Sequence, residues 1–556
     1  MKRIYILILL LLTCTLLVAN PLARIYQEDD PLLHALETLS IEAGVLPVSS
    51  ASPVTGHDLL RQIETLQRYP LSSRSQALLS QLKNQIVSQL TDPQIGMRIA
   101  VSPEFYANTD DNAREWDWFN RYNSRSPFLY GVAETIVANN IYGVMDYAIE
   151  KRLFEEDFAG GSTNFPYMDN ISETNLQNSH PHTAFMGISG SQSSLVFGRD
   201  TLGWGRGNTG NLTVGNHVPY HDFLQASARN SRLRYTFLAI PMNELDENGE
   251  AIIPYKPAVE EDNWLTLFHG SLSRIYIAHR LEFNFTPWLR VSLTEGTLFY
   301  TSRMDLRMFN PIMFIHNFQN FGEVNNTMTL ELEAAMAPGW FLDAQFLLDQ
   351  FQTAGEQSAY NDIPPNAYAG LVGVRFVKPT ANGYLKGFVE GVYTSPYVYL
   401  RAGDSTANYG DGDGSDQYNL DLVHAVNMRA GQGSVNFLGY QYGPDSIVAA
   451  TRLAFEHANG FDIFADLRFL VQGERGLEAE DKEQELVTGI SELNRPTPSG
   501  GNPTYTLITG IGGSMLIPET PIRIKSQAHF IQKWDENGYR NDLQIVMGAT
   551  YSLNIL

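Results

Sequence analysis

Residues 541–556 read NDLQIVMGATYSLNIL. Leu543, Ile545, Met547, Ala549, Tyr551, Leu553 and Ile555 fall on one parity. Asp542, Gln544, Gly548, Thr550, Ser552 and Asn554 fall on the other, with Val546 the exception. A period of two over this length predicts a strand with one apolar and one polar face, about long enough to cross a bilayer at a tilt. The pattern recurs at 274–285, 327–336, 461–472 and 522–530. Charged residues such as Arg280, Glu331, Asp466 and Lys525 occupy the second parity. They need water or a polar filling, so this face points into a hydrated or plugged lumen.

The connectors give a second line of argument. Short turns are read at 139–140, 192–194, 229–231, 286–288, 337–339, 379–383, 457–460 and 517–521. Longer polar stretches lie between them at 108–127, 153–182, 202–221, 241–273, 301–326, 352–366, 396–445 and 474–503, with a shorter loop at 535–540. Nine connectors at one end and eight at the other imply 18 strands, the even number expected of a bacterial barrel. The expected fold class is therefore an all-β transmembrane barrel of about 18 antiparallel strands, with both mature termini in the periplasm and the long loops extracellular.

Residues 20–95 are patterned differently. Leu32, Leu33, Leu36 and Leu39 are spaced as on a helix, and Gly44 and Pro47 end the segment. Leu59, Leu60, Ile63 and Leu66 mark a second helix, and Leu78, Leu79, Leu82, Ile86 and Leu90 a third. Each is too short to be stable alone, so the three must pack on one another or on the barrel. Ahead of them, Lys2 and Arg3 precede the apolar run 4–12, with small residues near Ala19, as in a signal peptide. The expected organisation is a signal peptide at 1–19, a periplasmic helical unit at 20–95 and an outer-membrane barrel at 96–556. The single cysteine, Cys14, falls in the signal, which leaves no thiol for a disulfide or for catalysis.

Composition changes this picture little. Hydrophobic residues make up 43% and mean hydropathy is −0.19, values a soluble protein could share. A barrel hides its apolar residues in alternation, however. The 27 Tyr, 29 Phe and 7 Trp would supply interfacial girdles. A net charge of −23 argues against nucleic acid as a partner.

Two loops hold the candidate chemistry. Residues 198–224 are glycine-rich and carry Arg199, Asp200, Trp204, Arg206, Asn208, Asn211, Asn216 and Tyr220. Aromatic faces cover the C–H faces of sugars, and Asn, Asp and Arg side chains bond hydroxyls, so this segment reads either as a glycan-binding surface or as a constriction loop. Residues 301–326 combine the apolar run 311–315 with Arg307, Asn310, His316 and Asn317. An apolar loop is expected to fold inward or onto its neighbours, either plugging the pore or meeting a ligand. Asp411, Asp413 and Asp416 on a glycine loop are weak Ca²⁺ candidates that lack an EF-hand's spacing and its bidentate Glu; a solvated acidic loop is the better reading. There is no HExxH, no G-x-S-x-G and no phosphate-binding βαβ context, so neither catalysis nor a cofactor is expected. His180 and His182 come nearest to a metal pair but lack further ligands in sequence.

Gly198-Arg199, Trp204-Gly205-Arg206-Gly207 and Gly210-Asn211-Leu212 together resemble the capsule assembly Wzi family of outer-membrane proteins. His279-Arg280-Leu281-Glu282 with Thr286-Pro287-Trp288, Asn310-Pro311 with His316-Asn317, and Ala43-Gly44-Val45-Leu46-Pro47 extend the resemblance over nearly the whole mature chain. Arg206 stands where the family pattern has Pro, and Leu556 ends the chain where Phe is usual. The resemblance implies an 18-stranded barrel with a periplasmic helical bundle. It also implies a non-enzymatic lectin that holds exported polysaccharide at the cell surface and organises it as capsule or a similar layer. Surface polysaccharide and outer-membrane lipid are then the expected partners of a monomer, with the polysaccharide-export machinery a further candidate. The alternative function is a diffusion porin for small solutes.

Overall fold

The alternation closes into a barrel of 18 antiparallel strands in the computed structural model. The structure describes residues 21–88, 95–110, 113, 117–120, 124–137, 140–150, 163–165, 181–245, 251–252, 273–301, 306–310, 324–351, 365–400, 421–427, 433–475 and 494–555. We number the barrel strands from β1, which has two pieces, Ile95–Val101 and Glu104–Ala107. Then come β2 Leu129–Val137, β3 Ile141–Ile149, β4 Ala184–Ser189, β5 Ser193–Asp200 and β6 His221–Arg229. They are followed by β7 Leu233–Met242, β8 Ser273–Thr286, β9 Leu289–Thr301, β10 Val324–Ala337, β11 Trp340–Gln350 and β12 Ala367–Pro379. The last six are β13 Gly383–Thr394, β14 Ser446–His457, β15 Phe461–Gln472, β16 Thr504–Leu516, β17 Ile522–Asp535 and β18 Gly538–Asn554.

Each strand pairs with its sequence neighbour, and β18 returns to β1 through Tyr551↔Val101 and Ile545↔Ala107. Closure leaves no sheet edge, which the hydrocarbon interior requires because an unpaired amide there has no water to bond. The eight short turns fall where the sequence places them, all at one end, and the nine other connections lie at the opposite end. The break in β1 falls at Ser102-Pro103, where proline has no N–H for the ladder.

The two parities separate as predicted. Phe283, Phe285, Leu330, Leu332, Leu467, Ile511 and Met547 are exposed on the outer face. Arg280, Glu282, Glu331, Glu333 and Gln544 are buried on the inner one.

Three helices sit against the short-turn end: α1 Pro31–Ala43, α2 Gly56–Leu66 and α3 Ser73–Ser88. Asp30 caps α1 by accepting from the Leu32 amide at 2.8 Å, with Pro31 in the first turn. The helix ends at Gly44, whose φ of 70° suits glycine. Thr55 and Asp58 form a capping box on α2. Leu36, Leu39, Leu59, Ile63, Leu66, Leu82 and Ile86 make the shared core. The unit is tied to the barrel turns by Leu46 N donating to Pro287 O (2.9 Å) and Gly339 N donating to Ile41 O (2.7 Å).

The segments flanking α1 enter the barrel. Ile25–Tyr26 pairs with Val54–Thr55 as a two-stranded ribbon. Ile25 and Ala51 belong to the main core of the lumen rather than to the helical core.

Candidate functional site

The glycine-rich loop after β5 folds down into the lumen and meets the N-terminal segment coming up from the other end. Trp204 is the point of contact. Its backbone bridges Ala51 on one side and Val214 on the other. Ser52 N donates to Gly203 O (3.2 Å), and Gly205 N to Ser50 O (3.1 Å). Gly205 has a φ of 125°, and a Cβ there would lie 2.5 Å from Asn211 Oδ1, so the turn requires glycine.

This placement assigns most of the sequence candidates to holding the loop. Trp204 has no exposed surface and lies 5.9 Å beneath the Arg280 guanidinium, so its ring is closed to a sugar face. Asn211 is buried, and its Oδ1 accepts from Gly207 N (2.8 Å) and Gln345 Nε2 (3.0 Å). Asn208 donates through N (2.6 Å) and Nδ2 (3.0 Å) to Glu390. Asp200 is buried facing the lumen and accepts from Gln27 Nε2 at 2.6 Å. Arg206, standing where the resembled pattern has Pro, ties the loop to its surroundings. It bonds Glu333 (2.9 Å), Glu37 of α1 (3.4 Å) and the Val48 carbonyl. Burial pushes the Glu37 carboxyl up, but Arg375 and Arg206 beside it more than reverse this and hold it below its ordinary value. An aromatic and polar loop thus reads equally as a platform or as a plug, and here these five residues are plug.

Arg199, Tyr220 and Asn216 differ. Arg199 points to the outer face of the wall, where it pairs with Asp222 through two bonds of 2.8 and 2.7 Å and lies 4.1 Å over the Tyr220 ring. The ring of His182 packs 5.2 Å from the same tyrosine. Asn216 is exposed and stands beside Gly203, near Glu28.

Of the two placements expected for the loop at 301–326, inward or onto its neighbours, the described part takes the second, and the apolar run 311–315 lies outside the described residues. Leu306–Phe309 forms one helical turn on the outer wall, not in the mouth. Met308 packs with Ile275, Ile277 and Phe299, and Phe309 lies 6.1 Å from Phe237. The outward parity of β7–β9 is apolar and pairs with these side chains, which the polar lumen would not. Asn310 is exposed. The Arg307 side chain, His316 and Asn317 lie outside the described residues, as do Asp411, Asp413 and Asp416. Among the described residues no cluster of His, Cys, Asp and Glu has the make-up of a metal site.

A second layer roofs the long-loop end. Tyr397, Val398, Tyr399, Leu400, Leu438 and Tyr440 are buried in the same core as Trp204. Tyr399 OH donates to Leu212 O (2.7 Å), and Thr209 Oγ1 lies 2.8 Å from Tyr440 OH. Around this roof, arginines stack on aromatic rings. Arg475 lies 4.5 Å and Arg495 5.9 Å from the Tyr397 ring centre. Arg125 lies 4.4 Å from Tyr106 and 5.0 Å from Trp118. Arg468 donates to Tyr442 OH (2.5 Å) and covers Phe119, which stacks on His529 at 3.7 Å. Sequence reasoning missed this set. Its members come from three distant loops and the strands β1, β15 and β17, and only the pairing of Arg with Tyr, Phe or Trp at loop edges hinted at it.

A closed antiparallel barrel, a lumen filled from both ends and an apolar outer belt define an outer-membrane β-barrel of the plugged kind. Among solved structures, the chain is similar to Wzi of Escherichia coli, described as an outer-membrane protein involved in group 1 capsule assembly and a carbohydrate-binding β-barrel. The TM-score is 0.56, at 12% identity over 95% of this chain and 98% of that one. Acinetobacter baumannii OccAB4 (TM-score 0.39, 9% identity, 84% of this chain and 99% of that one) and Pseudomonas aeruginosa OprD (0.38, 9%, 83% and 96%) are also similar. No protein-family model matches the sequence, and no curated protein matches it. The fold is that of the Wzi barrel.

Proposed function

We propose that this protein holds exported polysaccharide at the cell surface and helps order it as capsule or a similar glycan layer, without catalysis. The observation that carries this is the unbroken apolar core from Ile25 and Ala51 through Trp204 and Leu212 to Tyr399 and Tyr440. It fills the lumen beside β3–β13, so the working surface is the long-loop end. There Arg475 and Arg495, half-buried and stacked over the buried Tyr397 ring, present planar guanidinium donors to sugar hydroxyls. Similarity in fold to a carbohydrate-binding barrel supports the reading. In this orientation the long loops are extracellular, both mature termini are periplasmic, and the exposed side of α3 faces any export partner. Of the sequence candidates, Arg199 and Asn216 keep exposed surface for a glycan, joined by Arg475 and Arg495, whereas Tyr220 is buried beneath Arg199.

The test is binding of purified cell-surface polysaccharide to the folded protein, with Arg475→Ala/Arg495→Ala and Trp204→Phe as variants. The double variant should lose binding severalfold, and Trp204→Phe should keep it. Unchanged binding by the double variant rejects the roof as the site. A diffusion channel is the second reading, favoured by the charged strip of exposed Arg452 and half-buried Asp462, Asp466 and Arg468 on the inner wall. Steady single-channel conductance by the intact protein would establish it.

A further inference from the structure

The outward face of β8 carries one break in its apolar series, His279, between Ile277 and Leu281. It is not solvated there: the side chain is 6% exposed. Its register partner on β9 is Glu295, also buried, and its partner on β7 is Phe237. Tyr235 OH lies 2.7 Å from His279 Nδ1. A phenol, an imidazole and a carboxyl thus share the membrane-facing wall, where ionisable groups are costly and default to function.

Directly beside them the wall is hollow. A cavity of about 1130 Å³ runs from His279, Glu295 and Phe309 down toward the short turn at Gly190. Its hollow comes from small residues: Ala226 and Ala228 stand in register with Leu195, Phe237 and Tyr235, and Ile188 and Leu281 complete the sides. With Tyr235 donating to Nδ1, the neutral imidazole carries its proton on Nε2. That nitrogen is buried with no hydrogen-bond partner among the described residues. A buried donor facing hydrocarbon calls for an acceptor.

We propose that this groove is a lipid-binding site. It takes one acyl-ester lipid of the surrounding membrane, whose chain lies over Ala226 and Ala228 and whose ester carbonyl accepts from His279 Nε2. The occupant follows from position, since the groove opens to the acyl chains of the bilayer. The ester follows from the setting, since a neutral carbonyl can accept from Nε2 within hydrocarbon, whereas a free fatty acid's carboxylate would carry a charge there. The site lies on the outer wall, apart from the glycan surface at the loops.

The experiment uses the full-length protein, extracted in mild detergent and examined by native mass spectrometry. The wild type should carry one acyl-ester lipid and, once stripped, rebind phosphatidylethanolamine in preference to oleate. Ala228→Phe, which fills the floor at an exposed position, should abolish rebinding. His279→Phe should weaken it roughly tenfold, the effect of one unmet buried hydrogen bond. Heat-modifiable gel mobility reports folding, and Ala228→Phe keeps the test decisive if His279→Phe does not fold. Equal lipid retention by folded Ala228→Phe, or oleate binding as tight as phosphatidylethanolamine, overturns the proposal.

Discussion

Asp58 is the residue whose loss should unseat the plug. It sits in the first turn of α2, is 5% exposed, and lies 2.8 Å from Arg229 Nε and 3.3 Å from Arg234 Nη1 of the barrel wall. Its other oxygen accepts from the Thr55 amide at 3.1 Å. Asp58→Asn keeps the size and a cap acceptor but leaves two buried arginines without their anion. Breaking a buried ion pair from one side costs about 3–5 kcal/mol. Undocking lets both arginines rehydrate, so the whole penalty falls on the docked state, and the undocked population rises roughly 10²- to 10⁴-fold. Asp58→Ala adds about 1 kcal/mol for the lost cap. Burial pushes the Asp58 carboxyl up, but Arg234 and Arg229 outweigh it, so the docked pKa lies below the ordinary 3.8. Its contribution is therefore complete above 3.8 and is lost as pH falls below it, and acid should make the wild type behave like Asp58→Asn. The assay is planar-bilayer conductance of the refolded protein, with limited proteolysis of the N-terminal segment in parallel. Asp58→Asn should give intermittent large openings and faster cleavage at neutral pH. If variant and wild type are equally quiet and equally protected, the ion pair does not hold the plug.

Two further outcomes follow from the same core. Trp204→Ala empties a fully buried site and should cost about 3–5 kcal/mol of plug stability, read as a lower thermal transition and new conductance with barrel circular dichroism unchanged; an unchanged melt would rule out its central place. Glu28 lies beside Ser52 inside the lumen, where burial pushes its carboxyl from 4.5 up to about 7 although a sliver of its surface stays exposed. Its contribution is complete below 4.5 and is lost as pH rises through about 7, so cleavage of the N-terminal segment should quicken across that window in the wild type and stay flat in Glu28→Gln.

What the sequence revealed, and what it hid, divides by the range of the forces. Strands such as 461–472 and 522–530 were legible because a membrane on one side and a lumen on the other force opposite polarity onto successive residues. The helices were legible for a similar local reason, in Leu36, Leu39, Leu59 and Ile63. The fate of Trp204 was not, because its burial depends on Ser50, Ala51 and Ser52, about 150 positions away. The turn Leu306–Phe309 carried no pattern of its own, and the side of the wall it covers depends on Phe237 and Ile275, which no local pattern links to it. The roof arginines were invisible for the same reason: a stack between Arg125 and Trp118 leaves no period in the chain.

Glu333 shows why the two halves of the plug act as one. It accepts from Ser50 Oγ (3.0 Å) in the N-terminal segment, from Arg206 (2.9 Å) in the mouth loop and from Arg290 (3.1 Å) in the wall. Each donor is better satisfied when the others are in place, because a carboxylate released from two buried guanidinium groups could not stay buried at that site. Arg206 also reaches Glu37 on α1, so the mouth loop touches the helical unit as well as the wall. Displacing α1 must then loosen the loop at the far end, and a ligand that fixes the loop must tighten the seat of α1 by the same free energy. The proposed glycan binding at the surface and anchoring at the short-turn end are, on this geometry, two readings of a single equilibrium.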